Sequence, residues 1–294
     1  MRILLAGKNG QVGWELNRSL SKLGTVFAMG REDMDFSKPE TLRPVIQDIR
    51  PDIIINAAAY TAVDKAESEP DLAMTINGIA PGVIAKEAKK IGATVIHYST
   101  DYVFDGKATS PYKEENPTYP LSVYGNSKLA GEQAVTQAGI PHIIFRTSWV
   151  YSLRGGNFLT TIQKLAQTRK QIKVVDDQTG TPTSARAIAE STTHILGQGL
   201  NADTTKSSIF SHPGIFHISC GGETNWFGFA KTILKLSGFS EGTEVTPIHT
   251  SEYPTLATRP KYSLLSNKKL KQVFHHEMPP WQDALQECLG SAPK

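Results

Sequence analysis

The sequence predicts an α/β fold with a Rossmann-like, doubly wound parallel sheet and a smaller C-terminal lobe. Three observations predict this fold. Apolar runs alternate with helix-like segments over the first half of the 294 residues. The central runs are apolar throughout, as in parallel strands that are covered on both faces. A glycine-rich turn separates the first run from the first helix-like segment, and this order is typical of doubly wound sheets.

The elements of the first half follow from periodicity and from chain breakers. The first helix carries Val12, Leu16, Leu20 and Leu23 on one face, and Pro51 follows the end of the second. Strands are predicted at residues 3–6, 25–29, 52–58, 94–99 and 142–150. Helices are predicted at residues 11–23, 41–48, 70–91 and 122–137.

The second half contains more glycine and proline between its elements. Helices are predicted at 157–168, 184–196 and 225–236, strands at 173–175 and 215–219, and an exposed loop at 201–211. Trp226 is interpreted as a packing residue of the last of these helices. We therefore assign residues 1–150 to a dinucleotide-binding domain. Residues 151–294 are predicted to form mainly a substrate-binding lobe, with some segments that return to the first domain.

Composition excludes several classes of protein. Hydrophobic residues make up 39% of the chain and charged residues 20%, and the net charge is +3. A charge this small and dispersed does not predict nucleic-acid binding. No apolar run approaches the length of a membrane span, and the N-terminal run is too short for a signal peptide. Cys220 and Cys288 have no metal-ligand or redox spacing, so we predict a cytoplasmic protein without disulfides.

The glycine-rich turn predicts a phosphate cradle. Gly7, Gly10 and Gly13 follow the first strand and open the first helix, with Gln11 and Val12 inside the motif. The first glycine permits a tight turn, the second a close approach of the backbone to a pyrophosphate, and the third close packing of helix and strand. The positive end of the helix then faces the anion.

The residues after the second strand predict which dinucleotide is bound. Arg31 stands where an arginine can accept the 2′-phosphate of NADPH, so NADPH is favoured. Asp33 and Asp35 keep NADH possible, because an acidic side chain there binds the ribose hydroxyls. Asp35 and Phe36 could border the adenine.

A Tyr and a Lys on one predicted helix indicate carbonyl chemistry. Tyr124 and Lys128 are four residues apart and share a helix face. A phenol titrates at a pKa of about 10, and a nearby ammonium lowers that pKa. Thr100 ends a strand at the edge where such sheets bind ligands, and its hydroxyl can stabilise a developing oxyanion. We predict Tyr124, Lys128 and Thr100 as catalytic residues, and Tyr124 and Lys128 also as cofactor-binding residues.

Longer motifs carry a resemblance to a known family. They are residues 7–13, 56–67, 99–106, 124–128, 146–151, 177–183 and 259–281, and the resemblance spans nearly the whole chain. The sequence resembles the extended short-chain dehydrogenase/reductases and, within them, the dTDP-4-dehydrorhamnose reductases. The resemblance implies that Tyr124 donates a proton to the sugar C4 oxygen and that Lys128 orients the cofactor ribose. It implies further cofactor contacts at Ala59, Tyr60 and Thr61, and substrate contacts at Thr100, Asp101, Trp149, Asn157 and Gln178.

The implied reaction is NADPH-dependent reduction of the C4 ketone of dTDP-4-dehydro-6-deoxy-L-mannose to dTDP-L-rhamnose. Tyr102 argues against a sugar 4,6-dehydratase, which has Glu at that position. Another NDP-4-ketosugar reductase or an epimerase remains open. A non-catalytic, dinucleotide-binding regulatory subunit, similar to that of methionine adenosyltransferase, is a further alternative.

The resemblance also bears on a metal. Some family members hold Mg²⁺ at a dimer contact through acidic side chains, and Glu15 matches one such position. The other ligands would follow Thr183, where this chain has Ser184, Ala185 and Arg186. We therefore predict no metal site, with Glu15 as the one weak candidate, and a monomer or homodimer whose partner is a small nucleotide-sugar substrate.

Overall fold

The computed structural model describes residues 1–201, 213–239 and 241–290. Of the loop predicted at 201–211, only Asn201 lies among the described residues, and it ends a helix rather than beginning a loop. The strands are β1 (Arg2–Ala6), β2 (Thr25–Met29), β3 (Ile53–Asn56), β4 (Thr94–Thr100), β5 (His142–Thr147), β6 (Val150–Tyr151), β7 (Gln171–Val175), β8 (Thr179–Gly180), β9 (Thr183–Ser184), β10 (Gly214–His217), β11 (Thr224–Asn225) and β12 (Glu244–Ile248).

The α-helices agree with the predicted segments over most of the chain. They are α1 (Gln11–Ser19), α2 (Leu42–Ile49), α3 (Val63–Ala66), α4 (Pro70–Met74), α5 (Ala80–Ile91), α6 (Val123–Gln137), α7 (Phe158–Ala166), α8 (Ala185–Asn201), α9 (Trp226–Leu236), α10 (Lys268–Phe274) and α11 (Trp281–Gly290). Among the described helices, none combines the length and the apolar character needed to cross a lipid bilayer.

Six strands form the central sheet, in the order β10-β5-β4-β3-β1-β2, and every pair in it is parallel. Leu4 of β1 lies opposite Phe27 of β2 and Ile54 of β3. The strand order reverses between β1 and β3, and the crevice at such a switch point is where doubly wound sheets bind ligands. β10 comes from the second half of the chain and forms one edge of this sheet.

Alternate residues of the central strands enter two apolar cores, one on each face of the sheet. Ile3, Ile55 and Phe145 belong to the larger core, which includes residues of α1, α7, α8, α9 and α11. Leu4 and Ile54 belong to the other, which includes residues of α2 and α5. Burial on both faces explains why β1 and β3 are apolar at nearly every position.

Two departures from the predicted elements lie near the candidate site. The strand predicted at 142–150 breaks into β5 and β6, because Trp149 between them has a φ of 46°, which does not continue a strand. The helix predicted at 70–91 contains a π-helical segment, Thr75–Ile79, between α4 and α5. Such segments occur frequently at functional sites.

Candidate active site at the carboxyl edge of the sheet

A cavity of about 920 Å³ opens at the carboxyl ends of the central strands. β4 delivers Thr100 and Asp101 to it, and the segment after β5 delivers Trp149. The predicted site residues that line the cavity are Gln11, Thr61, Thr100, Asp101, Tyr124, Trp149, Asn157 and Gln178. The cavity thus brings together residues that are far apart in sequence. They come from the glycine-rich turn, from helix α6 and from the second half of the chain.

The glycine-rich turn is built for a close-fitting ligand. Gly7 has a φ of 89°, and a Cβ on it would lie 2.7 Å from the Ala58 nitrogen. A Cβ on Gly13 would lie 2.0 Å from the Gly7 oxygen. Gly10 is the N-cap of α1 and has no side chain that could cap the helix. The backbone N–H groups at the positive end of α1 are therefore left without a side-chain partner. These residues fit the pyrophosphate of a dinucleotide.

Gln11 and Val12 have different surroundings behind this turn. The Oε1 atom of Gln11 accepts hydrogen bonds from Ser152 Oγ and Asn157 Nδ2, both at 2.9 Å. Gln11 therefore connects the turn to the second half of the chain at the cavity wall. Val12 packs against the larger core.

The adenosine end is predicted at the carboxyl end of β2. Arg31 is 80% exposed, and its Nε lies 3.6 Å from Asp35 Oδ1. Asp35 also accepts hydrogen bonds from the backbone and hydroxyl of Ser37, which lower the pKa of its carboxyl, the hydroxyl contributing most. Phe36 is buried in the second core, so it does not present its ring to a ligand at this surface.

The segment after β3 is fixed by a buried amide. The backbone N–H of Tyr60 donates to Asn77 Oδ1 at 2.8 Å, and Asn77 Nδ2 donates to the Tyr60 carbonyl at 3.0 Å. The phenol of Tyr60 donates to Glu69 at 2.7 Å. Ala59 lies beside Tyr60 in this segment, and Thr61 reaches the cavity. Asn77 was not predicted from sequence, since an isolated Asn within a helix carries no motif.

Helix α6 carries Tyr124 and Lys128. Ser122 caps this helix by accepting a hydrogen bond from the Gly125 N–H at 3.1 Å. Lys128 is buried, and its ammonium donates to the Tyr98 carbonyl at 2.5 Å. Burial lowers the pKa of Lys128 to about 8, and Glu132 partly opposes this effect.

The pKa of Tyr124 differs from the sequence-based expectation. Burial raises the pKa of the phenol above its ordinary value, and the Thr100 hydroxyl offsets part of the increase. Tyr102 packs edge-on against Tyr124, with 5.4 Å between ring centroids. Lys128 does not contribute to the pKa shift of Tyr124, and its ammonium donates to the Tyr98 carbonyl. Tyr124 is therefore a firmly protonated phenol in this cavity.

Thr100 and Asp101 form a buried pair beside Tyr124. The Thr100 hydroxyl donates to Asp101 Oδ1 at 3.0 Å and accepts from the Tyr102 N–H at 3.2 Å. Asp101 is 2% exposed, and its Oδ2 has no hydrogen-bond partner among the described residues. Burial raises the pKa of this carboxyl to about 6. The hydroxyls of Ser263 and Thr100 offset part of this increase.

Aromatic side chains form the opposite wall. The indole of Trp149 stacks on that of Trp226 with 3.6 Å between centroids and 8° between planes. Trp226 Nε1 donates to Gln178 Oε1 at 3.1 Å, and Gln178 Nε2 donates to Thr250. Trp226 is therefore part of the cavity wall as well as of the packing. Asn157 lines the same region, and its side chain also caps α7.

Three charged residues that line the cavity were not among the predicted site residues. They are Lys173 and the ion pair of Asp64 with Arg259. The guanidinium of Arg259 donates to Asp64 Oδ2 at 2.5 Å and to the Tyr102 hydroxyl at 2.8 Å. Asp64 also accepts from the Ala257 N–H at 3.1 Å. Both members of the ion pair lie within stretches that resemble the family, at 56–67 and from Arg259 onward, and this resemblance was the available signal.

The candidate metal position does not fit a cation. Glu15 lies near Arg186, which is paired with Glu190 at 2.8 Å and with Glu287 at 3.1 Å. The guanidinium thus supplies the positive charge among these carboxylates. Over residues 1–201, 213–239 and 241–290, no group of three or more His, Cys, Asp or Glu residues could hold a metal ion.

Comparisons with known proteins agree with this geometry. The family model described as RmlD substrate binding domain matches residues 1–293. dTDP-4-dehydrorhamnose reductase of Burkholderia thailandensis is 46% identical over 295 residues, covering 98% of both chains. The Escherichia coli K12 enzyme of the same name is 43% identical, covering 99% of this chain and 97% of the relative.

Solved structures give the same result. dTDP-4-dehydrorhamnose reductase of Clostridium acetobutylicum has a TM-score of 0.90 at 37% identity, with 99% of each chain covered. The Bacillus anthracis enzyme in complex with NADP has a TM-score of 0.89 at 34% identity, again with 99% of each chain covered. The predicted Rossmann-like fold is confirmed. The chain therefore belongs to the RmlD substrate binding domain family, in which its relatives are dTDP-4-dehydrorhamnose reductases, as the sequence motifs predicted.

Proposed function

We propose that this protein reduces the C4 ketone of dTDP-4-dehydro-6-deoxy-L-mannose with NADPH and so forms dTDP-L-rhamnose. The observation that carries the proposal is the meeting of Thr100, Asp101, Tyr124 and Trp149 in one cavity. Full-length similarity to reductases of that name supports the choice of substrate. The Bacillus anthracis relative in complex with NADP supports the choice of cofactor.

The glycine-rich turn and the segment at 59–61 would hold the dinucleotide, which when bound supplies the hydride. We infer that N–H groups in the first turn of α1, at Gln11, Val12 and Gly13, bind its pyrophosphate, because the Gly7 and Gly10 N–H groups already donate to the Met29 and Gly7 carbonyls. Lys128 is buried one helical turn after Tyr124 on α6, and its ammonium donates to the Tyr98 carbonyl. Its donor hydrogens can serve the Tyr98 carbonyl and a ribose hydroxyl together, because an ammonium has three.

Tyr124 is the proton donor. Reduction of a ketone places negative charge on the former carbonyl oxygen, and a phenol within reach can transfer its proton there. The raised pKa of Tyr124 keeps the phenol protonated before the reaction. Thr100 lies beside it and can donate its hydroxyl hydrogen to the same oxygen.

The second half of the chain supplies part of the substrate-binding wall in this proposal, beside Trp149 of the first half. Trp149, Trp226 and Gln178 form a wall with flat apolar faces and amide groups, which suits a nucleoside and a sugar. Arg259 is a cation that lines the cavity, and its guanidinium suits a diphosphate. We propose that residues 1–150 mainly bind cofactor, and that residues 151–294 mainly bind substrate while returning β10 to the central sheet.

We also propose a cytoplasmic enzyme that is a monomer or a homodimer. Both cysteines are free and buried, which suits a reducing compartment. Light scattering at several protein concentrations would determine the oligomeric state.

The deciding assay follows the absorbance of NADPH in the presence of the 4-keto sugar nucleotide. Stoichiometric oxidation of NADPH, with dTDP-L-rhamnose as product, is the expected result. Product formed without net oxidation would indicate an epimerase. Tyr102 binds Arg259 where a dehydratase has its carboxylate, so no loss of water from the substrate is expected. Binding of dinucleotide with no turnover of any sugar would favour a regulatory subunit.

A further inference from the structure

Lys8 leaves the glycine-rich turn and reaches the end of β2. Its ammonium lies 2.9 Å from Asp33 Oδ2 and 3.0 Å from Glu32 Oε1. The turn begins immediately before it, at Gly7, whose N–H donates to the Met29 carbonyl at 3.0 Å. One side chain therefore joins the predicted pyrophosphate site to the predicted adenosine-ribose site.

Both acidic partners of Lys8 are placed at the end of β2. Asp33 Oδ2 accepts from the Gly30 N–H at 2.9 Å as well as from Lys8. The Glu32 carboxylate lies against Gly30, where a Cβ would come within 2.4 Å of both of its oxygens. An acidic group in this place accepts hydrogen bonds from the ribose hydroxyls of NADH. The same group repels the additional phosphate of NADPH unless a cation neutralises it.

Arg31 is less well placed for that task than its position in the sequence suggests. It is 80% exposed and lies near Asp35, at 3.6 Å. Lys8 is 30% exposed and lies between the two carboxylates nearest to the strand end. The stronger candidate for neutralising charge beside the ribose is therefore Lys8.

We propose that Lys8 is a specificity-determining residue for the 2′-phosphate of NADPH. When NADPH binds, the Lys8 ammonium leaves Asp33 and Glu32 and binds the 2′-phosphate. When NADH binds, Asp33 is available to accept a hydrogen bond from a ribose hydroxyl. The inference rests on the proposed function only as far as the turn binds a nicotinamide dinucleotide. It goes beyond the reaction, because it concerns a group remote from the reacting atoms.

Binding of two adenosine probes tests this assignment without sugar turnover. Adenosine 2′,5′-bisphosphate carries the 2′-phosphate, and adenosine 5′-monophosphate carries the hydroxyl. In calorimetry, Lys8→Met should weaken the bisphosphate about tenfold or more and the monophosphate about twofold or less, since a charge-assisted hydrogen bond is lost. Lys8→Arg should restore most of the discrimination. Lys22→Met, an exposed change beyond the far end of α1, serves as control.

A second variant tests the same pair from the acidic side. Asp33→Asn removes one negative charge beside Lys8 and should strengthen the bisphosphate a few-fold relative to the monophosphate. Equal losses for both probes in Lys8→Met would overturn the proposal, as would unchanged discrimination in both variants. Because neither probe is reduced, the binding measurements test the role of Lys8 even if the sugar assay shows no activity. A normal sugar assay with unselective probe binding would refute the inference alone.

Discussion

At the scale of single residues, burial sets the protonation of the reacting groups. It keeps Tyr124 protonated, lowers the pKa of Lys128 to about 8 and raises the pKa of Asp101 to about 6. The sequence indicated which residue types would meet. It could not indicate these shifts, because desolvation depends on what covers a side chain and not on its neighbours in sequence.

Tyr124→Phe tests the proton donor. The variant keeps the ring and its packing against Tyr102 but lacks the hydroxyl. We expect kcat to fall at least ~100-fold, the usual scale for loss of a general acid. Stopped-flow and steady-state measurement of NADPH oxidation would give the value. An undiminished kcat would remove Tyr124 from this role, provided that circular dichroism shows an intact fold.

The lowered pKa of Lys128 predicts that kcat decreases on the alkaline side of the pH profile. A pKa of about 8 means that the ammonium is lost well below the range of an ordinary lysine. The charged form has three donor hydrogens for the Tyr98 carbonyl and the cofactor ribose, so kcat should decrease as the pH rises through about 8. Lys128→Arg keeps a charge throughout this range and should not show this decrease, even if its maximal rate is lower. A decrease that persists in this variant belongs to another group.

Replacing Asp101 with Asn should raise the stability of the protein and lower its activity. The pKa of Asp101 in the folded protein is about 6, which is above the ordinary value of 3.8. Its contribution to stability is therefore greatest below pH 3.8 and is lost as the pH rises through 6. Asp101→Asn removes the cost of burying the charge. Urea unfolding should show a gain on the order of 1–3 kcal/mol at about pH 8. The gain should be much smaller at about pH 4, and sugar reduction should be impaired at both.

At the scale of elements, the π-helical segment is the feature that periodicity did not predict. It contains Asn77, whose amide holds the backbone of Tyr60 and also donates to Ser127 Oγ on α6 at 3.0 Å. Ser127 in turn donates to the Tyr124 carbonyl at 2.8 Å. One buried amide thus connects the cofactor segment to the catalytic helix.

Asn77→Ala should weaken the fold and the cofactor site together. Three hydrogen bonds are lost and their buried partners are left unsatisfied, so we expect a loss of about 2–4 kcal/mol of unfolding free energy. The Kd of NADPH should rise as well, because the segment at 59–61 loses its anchor. Asn126→Ala, an exposed change on α6, should cost less than about 1 kcal/mol. Equal costs in the two variants would contradict the assigned role.

Most central elements were predictable because burial on both faces gives long apolar runs. The division of the predicted strand at 142–150 was not predictable, since it depends on one residue, Trp149, in a left-handed conformation. Gly180 lies against this indole, where a Cβ would come within 2.6 Å of the ring. A long-range contact of this kind has no local signature.

At the scale of the whole molecule, Asp64 and Arg259 join the two halves across the cavity. Asp64 holds both the guanidinium of Arg259 and the backbone of Ala257. The adjoining segment exposes Tyr253 and Leu256, which are 59% and 76% exposed and also line the cavity. The pair therefore fixes a segment that borders the substrate, and its partners lie too far apart in sequence for a motif to connect them.

Asp64→Ala should release this segment. We expect the KM for the sugar nucleotide to rise about tenfold, since an ion pair and a backbone hydrogen bond are lost, while kcat changes little. A protease that cuts after Leu should also cleave at Leu256 faster. Asp71→Ala, on the exposed side of α4, provides the control. Unchanged KM and unchanged cleavage would show that the segment is held by other contacts.

The stacked indoles of Trp149 and Trp226 have an optical consequence. Two identical chromophores lying 3.6 Å apart and nearly parallel share their excited states, so their absorption bands couple. Such coupling changes the ultraviolet circular dichroism of a protein and its intrinsic fluorescence. A ligand that separates the rings would abolish the coupling, while Trp14 and Trp281 lie outside the stack. A change in these spectra on addition of the sugar nucleotide would therefore report separation of the two rings without any label.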